Sequence, residues 1–447
     1  MADVPNGTTT VSTPGECGDG DDMQNGSVLG VESMGPSHPR NAISEWQAGW
    51  NVTNAIQGMF IVSLPYAVLH GGYWGIFAMV GVSYICCHTG KILVDCLYEE
   101  DQYGVKHRVR DSYVAIAEVA WGKRVGSRIV NIAQIIELLM TCILYVVLCG
   151  DLMIGSFPDS SIGIASWMTI ACTLLLPCAF LKHLGAVSWL SFWCSMVHLV
   201  INIIILGYCF SRAGEWDWSS VKVSIDIWTF PIALGIVVFS YTSQIFLPTL
   251  EGNMTRPDRF TCMLNVSHVA AAIFKAGFGW LGFLTFGFAT QEVITNNLPT
   301  PSFKAVVNMI LVVKALLSYP LPFYAAAELL ETALFNEKAG TCFPSCYRDD
   351  GAYKIWAISL RILLVVFTLV MAVSVPHFAI LMGLIGSFTG TMLSFVWPCY
   401  FHMRLKWNTL GWLTVMFDAF IIFLGFCCGT IGIYYSGYAL IVALKYY

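Results

Sequence analysis

Gly58-Met59-Phe60-Ile61-Val62-Ser63-Leu64-Pro65-Tyr66 and Ser240-Tyr241-Thr242-Ser243-Gln244-Ile245-Phe246-Leu247-Pro248 are the two stretches on which the fold turns. Each interrupts a long apolar run with glycine or small hydroxylated residues and ends on Leu-Pro. Proline has no N–H to donate and clashes with the preceding turn, and glycine costs about 1 kcal/mol in a helix interior. Two helices are therefore expected to open at matching places.

The runs they interrupt belong to a chain suited to lipid. Of 447 residues, 57% are hydrophobic and 11% charged, against about 45–50% and about 25% in a soluble domain. Mean hydropathy is +0.68. About 20 helical residues cross a bilayer's hydrocarbon core. Apolar runs bounded by polar, Gly or Pro breaks give eleven spans, at 46–69, 72–97, 124–150, 166–182, 186–210, 229–252, 264–289, 303–333, 354–375, 377–403 and 409–437. A short amphipathic helix is expected over 111–121. This composition excludes a disordered chain, a secreted disulfide module and a soluble enzyme. No polar stretch between spans is long enough to bury a core of its own.

Backbone freed by a break cannot face lipid and survives only where it is buried in protein or lines a cavity. Matched breaks five spans apart, in the first and sixth spans, point to a transporter built from inverted repeats. The expected fold is an all-α integral membrane protein of 11 transmembrane helices, with a 5+5 inverted repeat and broken helices 1 and 6. The transporter domain covers 44–437, with repeats at 46–210 and 229–403 and an extra span at 409–437. Residues 438–447 read as a short lumenal tail. Residues 1–43 read as a disordered acidic cytoplasmic tail. It carries Asp3, Glu16, Asp19, Asp21, Asp22 and Glu32 against Arg40 alone, which accounts for the whole net charge of −5.

The Lys/Arg distribution orients the chain. Of 23 Lys and Arg, Arg212, Lys222, Lys304 and Lys445 fall on one side, Lys275 and Lys314 fall inside the membrane, and all the others fall with the amino terminus. That places the amino terminus in the cytoplasm and the carboxyl terminus in a lumen or outside. The N-x-S/T sequons at Asn6, Asn25, Asn51, Asn253 and Asn265 are then on the wrong side for glycosylation. Most of the 16 cysteines sit in apolar runs as small hydrophobes. The Cys342/Cys346 pair lacks the neighbours zinc needs, so no metal is expected.

A charge at mid-membrane costs about 2.5–3.5 kcal/mol on insertion scales, so each one there is a candidate for function. Glu137 lies at the midpoint of the third span with Gln134 on the same face. It is a candidate proton site or partner for a substrate ammonium, or else a structural glutamate hydrogen-bonded to neighbouring helices. Lys314 reads either as a fixed cation where a relative uses sodium or as an ion pair holding the bundle. Lys275 reads as structural, His198 as a satisfied interior histidine, and Glu251, Glu328 and Glu331 as solvated at span ends. His377 opens the tenth span, and Asp418 gives the weakest signal. Tyr66, Tyr241 and Tyr319 adjoin broken or Pro-containing segments, where a phenol either meets a small zwitterion or packs.

The chain resembles the amino acid/auxin permease family, in its vesicular inhibitory branch. The resemblance is carried by Glu45-Trp46-Gln47-Ala48-Gly49-Trp50-Asn51-Val52-Thr53-Asn54-Ala55-Ile56-Gln57-Gly58-Met59-Phe60 and Val109-Arg110-Asp111-Ser112-Tyr113-Val114-Ala115-Ile116-Ala117. It continues through the Glu137 segment and through 239–254, 314–323 and 375–386, and it covers residues 44 to about 405. It implies a leucine-transporter-type fold that loads GABA and glycine, with β-alanine a further candidate, into synaptic vesicles. The drive is proton exchange against the gradient of a vacuolar proton pump, with chloride a further candidate ion. No cofactor and no nucleic acid are implied, and a monomer is expected. The substrate carboxylate is placed on N–H groups around Gly58, Met59, Phe60 and Ile61, with Ser63 close by. The ammonium is placed near Ser240, Tyr241 or Glu137, with Thr242 and Tyr319 also in the site and Lys314 sharing the coupling role. The competing readings are a plasma-membrane sodium- or proton-coupled neutral amino acid transporter and a non-transporting amino acid sensor. Sodium-free uptake and measured flux separate them. No Ser/His/Asp set or HExxH pair suggests an enzyme.

Overall fold

A computed structural model describes residues 43–56, 58–180, 185–334 and 354–445. The acidic tail up to residue 42 lies outside the described residues. So do the sequons at Asn6 and Asn25, Lys182, Gln57, and the 335–353 segment with Cys342 and Cys346.

The described residues are mostly helical, with one two-stranded hairpin among them. In order, α1 is Glu45–Ile56, α2 Leu64–Asp95, α3 Tyr113–Trp121, α4 Lys123–Ser156, α5 Ile164–Leu175 and α6 Gly185–Ser211. After these, α7 is Phe230–Tyr241, α8 Leu247–Gly252, α9 Phe260–Phe286, α10 Pro301–Ser318 and α11 Pro320–Leu334. The last four are α12 Ile355–Ser374, α13 Phe378–Ile385, α14 Trp397–Lys406 and α15 Trp412–Lys445. Among the described residues, 7 helical segments are long and apolar enough to cross a membrane, and shorter apolar helices stand at Ile164–Phe180, Met196–Ser211 and Phe230–Tyr241. Helix occupies each of the eleven intervals read from the sequence. The last helix continues to Lys445, past the 437 boundary.

The first two spans are joined without a loop. At Gly72, φ 56 and ψ −144 turn the chain inside α2, and a Cβ there would stand 2.1 Å from the Lys222 carbonyl oxygen. Only glycine tolerates both the positive φ and that approach. The expected helix after residue 111 is α3, whose Ser112 hydroxyl accepts from the Ala115 N–H at 3.2 Å as an N-cap.

Helix α2 packs against both α7 and α9, α4 lies against α10, and α7 lies against α13. The α7–α13 contact is a backbone one. A Cβ on Gly235 would be 2.2 Å from the Gly383 carbonyl oxygen, and one on Gly386 would be 1.9 Å from the Gly235 oxygen. From Gly386 to Val396 the tenth span is wound as two π-helical turns, a form that commonly marks functional sites.

The hairpin β1 (Tyr98–Glu100) and β2 (Lys106–Arg108) pairs Tyr98 with Arg108 and docks on α8. Arg108 Nη2 donates to the Pro248 carbonyl at 2.8 Å, its Nη1 lies 3.4 Å from Glu251 Oε2, and the Tyr98 hydroxyl donates to Glu251 Oε1. Burial, then Glu251, pushes the Tyr98 phenol up to about 12. Glu251 is therefore buried and paired rather than solvated. Glu331 is also buried, on Arg361 at 2.6 and 3.2 Å, where solvent was expected. Asp418 joins three spans, bonded to His88 Nε2 at 3.0 Å and His402 Nδ1 at 2.6 Å. His198 is buried, and neither ring nitrogen has a hydrogen-bond partner among the described residues, contrary to the satisfied histidine expected.

Candidate functional site

Both breaks form as the sequence predicts. Helix α1 stops at Ile56, Met59–Ser63 makes one 3₁₀ turn, and α2 starts on Leu64-Pro65. Helix α7 stops at Tyr241, Thr242 turns extended (φ −65, ψ 111), and α8 starts on Leu247-Pro248. Each proline sits in a first turn, where its missing N–H has no helical partner to lose.

The opened backbone of the sixth span is held by a side chain. Gln244 is fully buried, and its Oε1 accepts from the Ser243 N–H at 3.0 Å and the Ser394 hydroxyl at 2.7 Å. Its Nε2 donates to Thr89 Oγ1 at 3.2 Å and to the Cys86 carbonyl at 3.4 Å. The gap is thereby tied to the second and tenth spans, as a helix break inside a membrane requires.

A cavity of about 140 Å³ lies between the two breaks. The first span contributes Asn54 and Gly58–Phe60, and the sixth contributes Phe239, Ser240 and Thr242. Across it, α4 presents Glu137, Thr141 and Tyr145, and the eighth span presents Lys314 and Ser318. Glu137 is 4% exposed and Lys314 is 5% exposed, so both charged groups meet the cavity from inside the protein. The π-wound stretch supplies Thr389, whose hydroxyl donates to Glu137 Oε2. The Phe60 ring packs on Phe239, Tyr145 and Phe378 at centroid distances of 5.0, 5.3 and 6.1 Å, which brings four spans together.

The loop from α9 to α10 covers the carboxyl end of α4. Asn296 Nδ2 donates to Asp151 at 3.0 Å, Asn308 Nδ2 donates to Asn296 Oδ1 at 2.9 Å, and the Ala379 N–H donates to Glu292 at 2.8 Å. Burial holds the Glu292 carboxyl above its usual range.

Of the residues expected in the site, Gly58, Met59, Phe60, Ser240, Thr242, Glu137 and Lys314 line this cavity. Ile61, Ser63, Tyr241 and Tyr319 do not. The Ser63 hydroxyl donates to the Glu292 carbonyl at 2.6 Å, and Tyr319 lies beside Thr368 Oγ1 at 3.0 Å. Tyr241 turns away because its ring lies under Lys275, with Nζ 3.7 Å from the centroid. Gln244, Thr141, Tyr145, Ser318 and Thr389 were not anticipated. Gln244 stands inside the quoted gap and was the most findable of them.

The family described as "Transmembrane amino acid transporter protein" matches residues 41–442. The chain belongs to this family. It is a multi-pass transporter and not an enzyme, and what the family carries is amino acids. Among curated proteins, the Vesicular inhibitory amino acid transporter of Mus musculus is 55% identical over 411 residues, 91% of this chain and 78% of that protein, and the Homo sapiens protein gives the same figures. The Vesicular GABA transporter of Caenorhabditis elegans is 52% identical over 406 residues, 90% of this chain and 81% of that protein. Among solved structures, MhsT in complex with L-phenylalanine superposes with TM-score 0.52 at 12% identity, covering 88% of this chain and 100% of that one. A Na+-coupled sialic acid symporter gives TM-score 0.51 at 11% identity, covering 91% and 90%. These share the architecture, a leucine-transporter-type fold.

Proposed function

We propose that the protein is a secondary active transporter that loads GABA and glycine, and by the same chemistry β-alanine, into synaptic vesicles in exchange for protons. The relatives of like length support the substrate class and the compartment. The observation that carries the reading is the cavity between the two broken helices with one carboxyl, Glu137, reaching it from mid-span.

A zwitterion crossing hydrocarbon needs both ends matched. The turn that begins after Gly58 offers the amino-terminal N–H groups of a half-helix, and a carboxylate belongs there. The carboxyl end of α7 already holds Lys275, which leaves Glu137 for the substrate ammonium. A carboxyl buried at that depth must be neutralised in each state. It carries a proton on the return step and faces an ammonium on the loaded one. Exchange then follows from one group serving two cations. One pH unit supplies about 1.4 kcal/mol per proton, and 100 mV about 2.3 kcal/mol per charge moved. The amino terminus is cytoplasmic and the carboxyl terminus lumenal, the protein works as a monomer beside a vacuolar proton pump, and protons are the coupling ion without a cofactor.

Labelled GABA uptake into proteoliposomes with an acidic interior tests this. Wild-type accumulation should vanish when the pH gradient is collapsed, and Glu137→Gln should not respond to the gradient. Wild-type uptake indifferent to the collapse, with the variant unchanged, would remove Glu137 from the mechanism.

A further inference from the structure

Lys275 is an intramembrane lysine that the proposed exchange does not use. It stands midway along α9 and is fully buried. Its Nζ donates to the Ser240 carbonyl oxygen and, at 3.1 Å, to Ser240 Oγ, and it lies 3.7 Å above the Tyr241 ring. Ser240 and Tyr241 are the last two residues of α7, where a half-helix exposes carbonyls without intrahelical donors and the negative end of its dipole. The other titratable groups close by are the Cys86 thiol on α2 and His268, two turns earlier on α9. Among the described residues no carboxylate pairs with it. An ammonium held by a helix carboxyl end, a hydroxyl and an aromatic face, with no counter-ion, is bound as a free cation would be. Half-helix carboxyl ends and unwound carbonyls are where transporters of this architecture coordinate Na⁺ or H⁺.

We propose that Lys275 is a tethered cation at the carboxyl end of the broken sixth span, filling from within the chain the place that a dissolved coupling cation would occupy. The inference rests on the transporter reading and deepens it, because a site already filled makes transport independent of sodium. Lys275 acts as a positioning residue: it fixes the half-helix end against α9, and through Ser240 it shapes the cavity wall.

Chemical rescue is the test. Wild-type GABA uptake should be the same in sodium and in choline. Lys275→Ala leaves a hole, and uptake should fall by about tenfold or more, as expected for a lost charge-assisted hydrogen bond. Millimolar ethylammonium or sodium should restore uptake and raise the melting temperature of purified Lys275→Ala while leaving wild type unmoved. Lys275→Met keeps the bulk without the charge and should be slow and unrescued. A melting temperature in Lys275→Ala that ignores both cations would overturn the proposal. So would wild-type uptake in Lys275→Met, the variant to use if Lys275→Ala is not monodisperse. The melting measurement needs no substrate, so wild type that fails to take up GABA would sink the functional reading while leaving Lys275 still tested.

Discussion

Replacing Gln244 by Ala would remove the side chain that holds the opened backbone of the sixth span. Four hydrogen bonds go with it: those to the Ser243 N–H, the Ser394 hydroxyl, Thr89 Oγ1 and the Cys86 carbonyl. The Ser243 N–H is a buried backbone donor in an extended stretch, and leaving it unsatisfied costs about 1–3 kcal/mol. The Ser394 hydroxyl can rotate to another acceptor, and Thr89 Oγ1, which only accepts from Gln244, keeps its own bond to the Cys86 carbonyl, so each loses nearer the ordinary net value of about 0.5–1.5 kcal/mol. The Cys86 carbonyl contact, at 3.4 Å, is long and contributes least. Together these give about 2–6 kcal/mol. A domain of 150–250 residues loses about 2–4 °C of melting temperature per kcal/mol and a larger one loses less, so a drop of about 5 °C is expected. The assay is thermal melting of purified protein in detergent, alongside Gln244→Glu, which when protonated keeps an acceptor for the Ser243 N–H and a donor toward Thr89 and should fall less. A Gln244→Ala protein that melts with wild type and retains its uptake would refute the claim that this side chain holds the break open.

The other predictions concern the packing, the pocket and the loop. Gly235→Ala would drive a Cβ against the Gly383 oxygen at 2.2 Å and Ser387 Oγ at 2.6 Å. It should cost about 1–3 kcal/mol by melting, whereas Gly277→Ala, which meets nothing within 4 Å, should be neutral or stabilising. Phe60→Ala removes a ring from the cavity wall and should raise the KM for GABA roughly tenfold, while Tyr241→Phe should leave KM unchanged. Equal KM effects in the two would put the pocket elsewhere. Burial raises the Glu292 carboxyl pKa above its ordinary value of 4.5, so the folded protein holds that proton to higher pH than the unfolded chain. Stability from this group is therefore present at acid pH and is lost as pH rises above about 4.5. Glu292→Gln should melt above wild type at neutral pH and show a flatter pH profile. A steeper profile would contradict the sign.

The parts of this molecule that were readable in advance are those whose cause is local. A glycine or Leu-Pro restart breaks its own helix, so both gaps were visible at 58–66 and 240–248. Glu137 stood out because it lies in the apolar middle of α4, where a carboxylate is costly. Side-chain direction at a break was not readable, because the helical period stops there. Tyr241 adjoins the gap yet faces Lys275, while Ser240 and Thr242 on either side of it line the cavity. The role of Lys275 depended on a partner 35 residues away, and Thr389 meets Glu137 across 252 residues. Glu251 and Glu331 looked like solvated span ends because Arg108 and Arg361, which bury them, come from other segments. Nothing in the composition of 386–396 distinguishes a π-helical turn from an α-helical one. The contact with Gly235 is visible only in three dimensions.

If a small zwitterion sits between the two helix breaks, a density map of the purified protein saturated with GABA will show it there. The expected ligand density is bounded by Gly58–Phe60, Ser240 and Thr242, with its ammonium end toward Glu137. First and sixth spans running as continuous helices, or GABA density at any other place with this cavity empty, would contradict it.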